Sequence, residues 1–192
     1  MANAHKIASV SEAATALRLG EVIAYPTEAV FGLGCDPDNE QAIQRLLSLK
    51  QRPEQKGLII IAADVGQLAS YIAADQISDE MWQQVKKTWP GPMTWLMPVQ
   101  TSVSKLLTGD HDTLAVRVTA HAVARQLCEQ FGKPIVSSSA NRTGLEPARS
   151  IEELNRQFDT GLSCIVSGDI DPQASPSEIR DLVTNKVIRK ST

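Results

Sequence analysis

The sequence predicts an α/β fold with α+β character, a twisted mixed parallel/antiparallel sheet with flanking helices. Three observations carry that expectation. Helix-like and strand-like runs interleave along the whole chain. Gly57-Leu-Ile-Ile-Ile-Ala62 is a continuous apolar run too short for a typical helix, so it reads as a strand covered on both faces, in the middle of a sheet. The last strand candidates, near Cys164, Ile179 and Val187, are joined by connections too short to hold crossover helices, which argues against a purely parallel sheet.

In chain order, Ser11 to Leu19 carries helix formers, with Ser9 and Ser11 as candidate caps and Gly20 as a stop, and Glu21-Val-Ile-Ala-Tyr25 follows as a short strand. From Asn39 to Lys50, the three- and four-residue spacing of Ile43, Leu46, Leu47 and Lys50 predicts a helix. Asp38 or Asn39 can cap it, and Pro53 stops its continuation. A helical stretch from Asp79 to Thr88 ends at Trp89-Pro-Gly-Pro92. Met93 to Met97 and Thr113 to Val118 then read as strands, and His121 to Phe131 returns to helical spacing before Gly132. Pro134 to Asn141 begins as a strand and runs out into small polar residues; Ile151 to Phe158 is a helix capped by Ser150.

With 192 residues and 42% apolar content, the chain can bury one sizeable core, and no repeat, linker or composition shift divides it, so residues 1–192 are expected to form a single domain. Met1 to Lys6 has no apolar leader core, and no run approaches the roughly 18 apolar residues of a membrane span, so a cytoplasmic protein without membrane association is expected. Cys35, Cys128 and Cys164 are odd in number and far apart, and read as buried hydrophobes. A net charge of −3 argues against coating the surface with nucleic acid while leaving room for a local basic pocket.

Four segments offer chemistry. Tyr25-Pro-Thr-Glu-Ala-Val-Phe-Gly-Leu-Gly34 follows a strand, and Pro26 and the two glycines make it read as a loop. Thr27 then presents a hydroxyl where α/β sheets bind ligands, or is incidental to a turn. In Lys50-Gln-Arg52-Pro53-Glu-Gln-Lys56, the proline biases Arg52 towards extended backbone. If Lys50 is extended too, three cations converge; otherwise they are a helix-end charge and solvated surface residues. Val136-Ser-Ser-Ser-Ala-Asn141 releases three hydroxyls and an amide from a core strand, a cradle for an anion or a plain connecting loop. Arg117 stands in an otherwise apolar strand, with Ser177 and Arg189 near the C-terminus. It is either an anion-binding group or a strand-edge arginine paired to a surface carboxylate. The sequence has no phosphate loop, dinucleotide fingerprint, hydrolase elbow or metal-site spacing among His5, His111 and His121.

Taken in order, Pro26 to Gly34, Lys50-Gln-Arg52-Pro53, Leu114 to His121, Ser137 to Asn141 and Ser177-Glu-Ile-Arg-Asp181 resemble the YrdC family along nearly the whole chain. The family's signature, a Lys-x-Arg pair and a Ser-x-Asn triplet, falls on Lys50 and Arg52 and on Ser139 and Asn141. The resemblance implies a YrdC-like fold with an open anion-binding cavity. It implies that L-threonine, bicarbonate and ATP are converted to threonylcarbamoyl-AMP and pyrophosphate, for N6-threonylcarbamoyladenosine modification of tRNAs reading ANN codons. By the same resemblance, Lys50 and Arg52 are catalytic. Arg52, Lys56, Ser139, Asn141 and Arg189 contact ATP, while Thr27, Arg117, Ser137 and Ser177 contact threonine, with Lys50 and Asn141 lining the same cavity. It further implies magnesium arriving with ATP and no protein-built metal site, and as partners the proteins of the tRNA-modifying transferase complex, with tRNA or another RNA as a further candidate.

The sequence departs from the family pattern at Ala29 and Phe31, where Thr and Tyr are commoner, and at Ile61, where the long forms carry a threonine-contacting His. The long forms also continue into a second domain, whereas Arg189 stands near the end of this sequence. The alternative is a non-enzymatic RNA-binding or ribosome-maturation module. Net acidity and only three Trp, two Tyr and three Phe weaken it, because stacking platforms would be few. A hydrogenase-maturation carbamoyl-transfer domain would bring zinc-binding Cys-x-x-Cys units, and the sequence has none.

Overall fold

The computed structural model describes residues 5–171 and 173–191. Residues 1–4, Pro172 and Thr192 lie outside that description, and with them most of the N-terminal segment read for a leader. Along the chain the elements are β1 (Ile7–Ala8), α1 (Val10–Arg18), β2 (Ile23–Pro26), β3 (Phe31–Gly34), α2 (Glu40–Lys50), β4 (Ile59–Ala62), α3 (Asp79–Lys86), β5 (Met93–Pro98), α4 (Lys105–Thr108), β6 (Thr113–Val118), α5 (Ala122–Phe131), β7 (Ile135–Ser139), α6 (Ile151–Gln157), β8 (Cys164–Val166), β9 (Glu178–Asp181) and β10 (Val187–Arg189).

Local chemistry sets the helix ends. Ser9 closes a capping box on α1: its hydroxyl accepts from the Glu12 N–H, and the Glu12 carboxylate accepts from the Ser9 N–H at 2.9 Å. The side chains of Asn39, Ser78 and Ser150 cap α2, α3 and α6 by accepting from the Ala42, Met81 and Glu153 N–H groups, and Gly132 ends α5 in the left-handed conformation.

The strands form one mixed sheet in the order β1-β8-β2-β3-β7-β4-β6-β5-β9-β10. β1, β8 and β2 are parallel neighbours, β4 is parallel to β6 and β5 to β9, and β2–β3, β3–β7, β7–β4, β5–β6 and β9–β10 are antiparallel. Both faces are covered, which is why the central strands are apolar without alternation. On β2, Ile23 and Tyr25 pack with α1 and α5 on one face, while Val22 and Ala24 pack with Ile43 and Leu46 of α2 on the other. β4 divides likewise, Ile61 to the first face and Ile60 and Ala62 to the second, as expected for Gly57 to Ala62. Each fully buried Ile or Leu among them contributes about 1.5–3 kcal/mol relative to exposure.

The structure corrects several local expectations. Tyr25 to Gly34 is a hairpin rather than a loop: Pro26 is the last residue of β2 and pairs opposite Phe31, whose own N–H goes to the Ala148 carbonyl. Proline is tolerated there because the ladder needs no donor from it. Gly34 belongs to β3 because a Cβ would stand 2.8 Å from the Tyr25 ring and 3.0 Å from the Val136 carbonyl. The two-residue β1 and the single-turn α4 are too short to leave a period in the sequence. Lys50 is helical, not extended, and the chain turns to Arg52 through Gln51 in the left-handed region (φ 51). β6 lies inside the sheet, so Arg117 is not a strand-edge residue.

All three cysteines are buried and free, and no helix among the described residues is long and apolar enough to cross a membrane.

The turn after Arg52 depends on Gly57, with φ 58 and ψ −179, a region essentially closed to other residues. A Cβ there would also meet the Thr108 carbonyl at 2.8 Å and the Leu107 carbonyl at 3.0 Å. Gly57→Ala is expected to cost roughly 1–3 kcal/mol, a fall of several degrees in thermal midpoint for a chain of this size. An unchanged melting curve would contradict the strain argument.

Candidate active site

The ends of several strands open around a cavity of about 230 Å³. The β2–β3 turn contributes Thr27, Glu28 and Ala29, β4 and its approach contribute Leu58 and Ile59, and β6 contributes Arg117. The end of β7 contributes Ser137, Ser138 and Ser139, the segment before β9 contributes Ser175 and Ser177, and β10 contributes Arg189; Arg52 closes one side. Register explains the gathering: Ser137 lies opposite Ile59, Arg117 beside Ile61, and Ser139 opposite Gly32.

Three guanidinium groups face this space. Arg52 donates from Nε and Nη2 to the Gly57 carbonyl at 3.2 and 2.9 Å, which fixes its plane. Arg189 donates through Nε and Nη2 to the Ser177 carbonyl, and through Nη2 to the Ser177 hydroxyl at 3.1 Å; that hydroxyl also shares a hydrogen bond with Thr94. Arg117 is only 6% exposed and pairs with the Glu28 carboxylate at 2.8 Å, while its buried Nε–H meets no partner among the described residues. Burial lowers the Arg189 pKa, and the charges of Arg117 and then Arg52 add to it, so like charges crowd the cavity.

Glu28 is the one acidic side chain among the described lining residues. Its Oε1 accepts from Arg117 and from the Thr119 hydroxyl at 3.1 Å, and its backbone carbonyl accepts from the Asp171 N–H. Burial by itself pushes this carboxyl up, but the charge and hydrogen bond of Arg117 outweigh it and hold the pKa below the usual carboxylate range. The group is ionised at neutral pH.

Lys50 and Asn141 do not line the cavity, contrary to expectation. Lys50 is 3% exposed, and its ammonium donates to the Ser139 carbonyl, to the Asn141 carbonyl at 2.8 Å and to the Asn141 Oδ1. Burial, and after it the Arg52 charge, push this amine down to about 7, whereas three acceptors match the three N–H bonds of its charged form. Asn141 in turn accepts from the Ser139 hydroxyl at 2.7 Å and donates to the Leu145 carbonyl. The pair therefore ties the serine loop to the end of α2, one step behind the cavity wall. The Ser139–Asn141 segment supplies the acceptors around the Lys50 ammonium, and the position of Lys50 at a helix end does not reveal them.

A second cavity of about 210 Å³ adjoins the first and shares Arg52, Leu58, Ile59 and Arg189 with it. Lys56 stands here with His111 and Thr113 above an apolar floor that includes Leu96, Leu107 and Ile179. Thus Thr27, Arg52, Arg117, Ser137, Ser139, Ser177 and Arg189 come together in the first cavity, and Lys56 joins through the second. Glu28 and Ser175 went unnoticed as site residues in the sequence, and Ser138 was read only as one of the three hydroxyls of its loop. Glu28 had a signal, since it sits inside a segment already singled out, but an acidic residue in a turn reads as solvated until its partner is known. No group of three or more His, Cys, Asp or Glu gathers among the described residues.

Residues 15–191 match the family model described as Telomere recombination, that of the Sua5, YciO and YrdC proteins. The chain is 51% identical to the threonylcarbamoyl-AMP synthase of Photobacterium profundum, over 95% of this chain and 98% of that one. It is 50% identical to the enzyme of the same name from Aliivibrio fischeri, with the same coverage. Among solved structures it superimposes on P. abyssi Sua5 complexed with L-threonine with a TM-score of 0.83 and 34% identity, covering 90% of this chain and 50% of that one. The fold also matches E. coli YciO, with a TM-score of 0.83 at 23% identity over 98% and 93% of the two chains.

Proposed function

Since the chain belongs to the family of the Sua5, YciO and YrdC proteins, we infer that it makes threonylcarbamoyl-AMP from L-threonine, bicarbonate and ATP, with release of pyrophosphate. The observation that carries this reading is the convergence of Arg52, Arg117 and Arg189 on a serine-rich cavity whose lining includes one carboxylate. Such a cavity fits two anions that repel one another in solution. The enzyme name carried by relatives of matching length displaces the alternative of a non-enzymatic RNA-binding module.

In this reading, threonine's amine and bicarbonate combine to a carbamate with loss of water. A carbamate oxygen then attacks the α-phosphorus of ATP, forming the new P–O bond as the bond to pyrophosphate breaks. No protein nucleophile takes part. The protein aligns the two substrates and meets the charge that builds on phosphate oxygens. Thr27, Arg117, Ser137 and Ser177 hold threonine. Arg52, Ser139 and Arg189 hold the phosphates, Lys56 reaches them from the adjoining cavity, and the apolar floor there suits the nucleotide base. Planar guanidinium groups suit phosphate oxygens because they donate in pairs. Lys50 and Asn141 serve catalysis at one remove, by holding Ser139 in place. Magnesium enters on the phosphates of ATP: Glu28 is ion-paired with Arg117, and the described lining residues offer no second carboxylate with which to build a metal site.

The product is a carbamoyl adenylate that a tRNA-modifying transferase in the cytoplasm converts to N6-threonylcarbamoyladenosine in tRNAs reading ANN codons. Pyrophosphate release from ATP in the presence of bicarbonate tests the reading. Release is expected only when L-threonine is added; threonine-independent release, or none, would sink it.

A further inference from the structure

The cavity that would receive threonine carries three guanidinium groups, and threonine is a zwitterion. Its carboxylate finds donors wherever it turns, but its ammonium group meets repulsion from Arg52, Arg117 and Arg189 unless a fixed negative charge lies close by. Among the described lining residues that charge is Glu28 alone. Its Oε1 is held by Arg117 and Thr119, which fixes the carboxylate at the cavity wall. Arg117, nine-tenths buried, still has its Nε–H unpaired. An amino acid presents an anion and a cation two bonds apart on one carbon. A guanidinium and a carboxylate 2.8 Å apart, the guanidinium with its Nε–H still unpaired, present the complementary arrangement at the cavity wall.

We propose that Glu28 is the amine-recognition group of this site: its carboxylate receives the α-ammonium of the amino-acid substrate while Arg117 takes the α-carboxylate. The proposal rests on the synthase reading and goes beyond it by naming what makes the cavity choose an amino acid over a plain hydroxy acid. The Glu28 backbone is pinned through its carbonyl to the Asp171 N–H, and its carboxylate is steadied by Thr119, so the charge is held in position before substrate arrives. Preorganisation of this kind strengthens recognition because little ordering is left to do on binding.

The test compares L-threonine with 3-hydroxybutyrate, which is threonine without its amine, by titration calorimetry on the full chain and on Glu28→Gln. The wild type is expected to prefer threonine by about 10- to 100-fold, the usual worth of a hydrogen bond to a charged group. Glu28→Gln is expected to shrink that preference to within about threefold, by weakening threonine alone, with affinity for ATP and for 3-hydroxybutyrate unchanged. Retention of the wild-type preference would overturn the proposal, and so would an equal loss for ATP, which marks a merely structural role. Should the glutamine variant fail to fold, Glu28→Asp decides: a preference lowered at least threefold supports the assignment, and an undiminished one refutes it. A wild-type chain that binds no threonine at all would instead strike at the synthase reading itself.

Discussion

Arg52→Ala is expected to slow threonine-dependent pyrophosphate release by roughly 10²–10³, the usual cost of removing one well-placed donor from a site that stabilises developing charge. The loss follows from geometry rather than from charge alone. Two of the Arg52 nitrogens are committed to the Gly57 carbonyl, so the guanidinium plane is fixed across the boundary of the two cavities before any ligand arrives. Arg52→Lys is expected to recover little, because an ammonium cannot hold that carbonyl through two donors and face phosphate at once. The side chain is partly exposed and no acidic side chain among the described residues pairs with it, so the fold should survive the loss of its bonds to the Gly57 carbonyl, at a cost of about 1–3 kcal/mol. Steady-state kinetics alongside thermal melting separates the outcomes: near wild-type turnover in a folded Arg52→Ala protein removes Arg52 from the mechanism.

Lys50→Met keeps the aliphatic stem in its buried channel but strips the donors from the Ser139 carbonyl and from both oxygens of Asn141. The expected loss of stability is about 3 kcal/mol, since hydrogen bonds to charged groups are worth roughly 1.5–3 kcal/mol each and the abandoned carbonyls lie partly buried. That corresponds to a fall of roughly 6–12 °C in thermal midpoint. Activity should fall as well, because the loop carrying Ser137 to Ser139 loses its tie to α2. pH provides a second readout. The folded pKa of Lys50 lies near 7, below the ordinary 10.5, so between those values the unfolded chain holds more protons than the folded one. This group's contribution to stability therefore rises with pH across that window, and Lys50→Met should flatten the rise. Equal melting temperatures for the two proteins across that range would show that the buried ammonium ties nothing.

Most of the secondary structure was legible from local pattern. The α2 helix follows from Asn39 and the spacing of Ile43, Leu46 and Leu47, and β4 follows from its unbroken apolar run. Caps at Ser9, Asn39 and Ser150 act through neighbours within three residues, a range that a sequence displays directly. β3 was hidden because two of the four residues of Phe-Gly-Leu-Gly are glycines, which weaken a strand pattern. Its glycines are there for the Tyr25 ring and for the Val136 carbonyl of a strand much later in the chain. The burial of Lys50 was hidden for a related reason, since the acceptors that meet its ammonium belong to Ser139 and Asn141, far along the chain.

By itself, the sequence determined a mixed sheet with covered faces, helix ends set by caps, and a set of cations and hydroxyls placed at strand ends. Each of these depends on interactions among residues close together in the chain. The tertiary structure alone decided which of those groups share a cavity. It put Arg117 inside the sheet beside Glu28, turned Lys50 and Asn141 into the tie behind the serine loop, and moved Lys56 to an adjoining space. A charged side chain takes its role from whichever opposite charge or acceptor packing brings within about 4 Å, and strand order, not sequence distance, sets that neighbour.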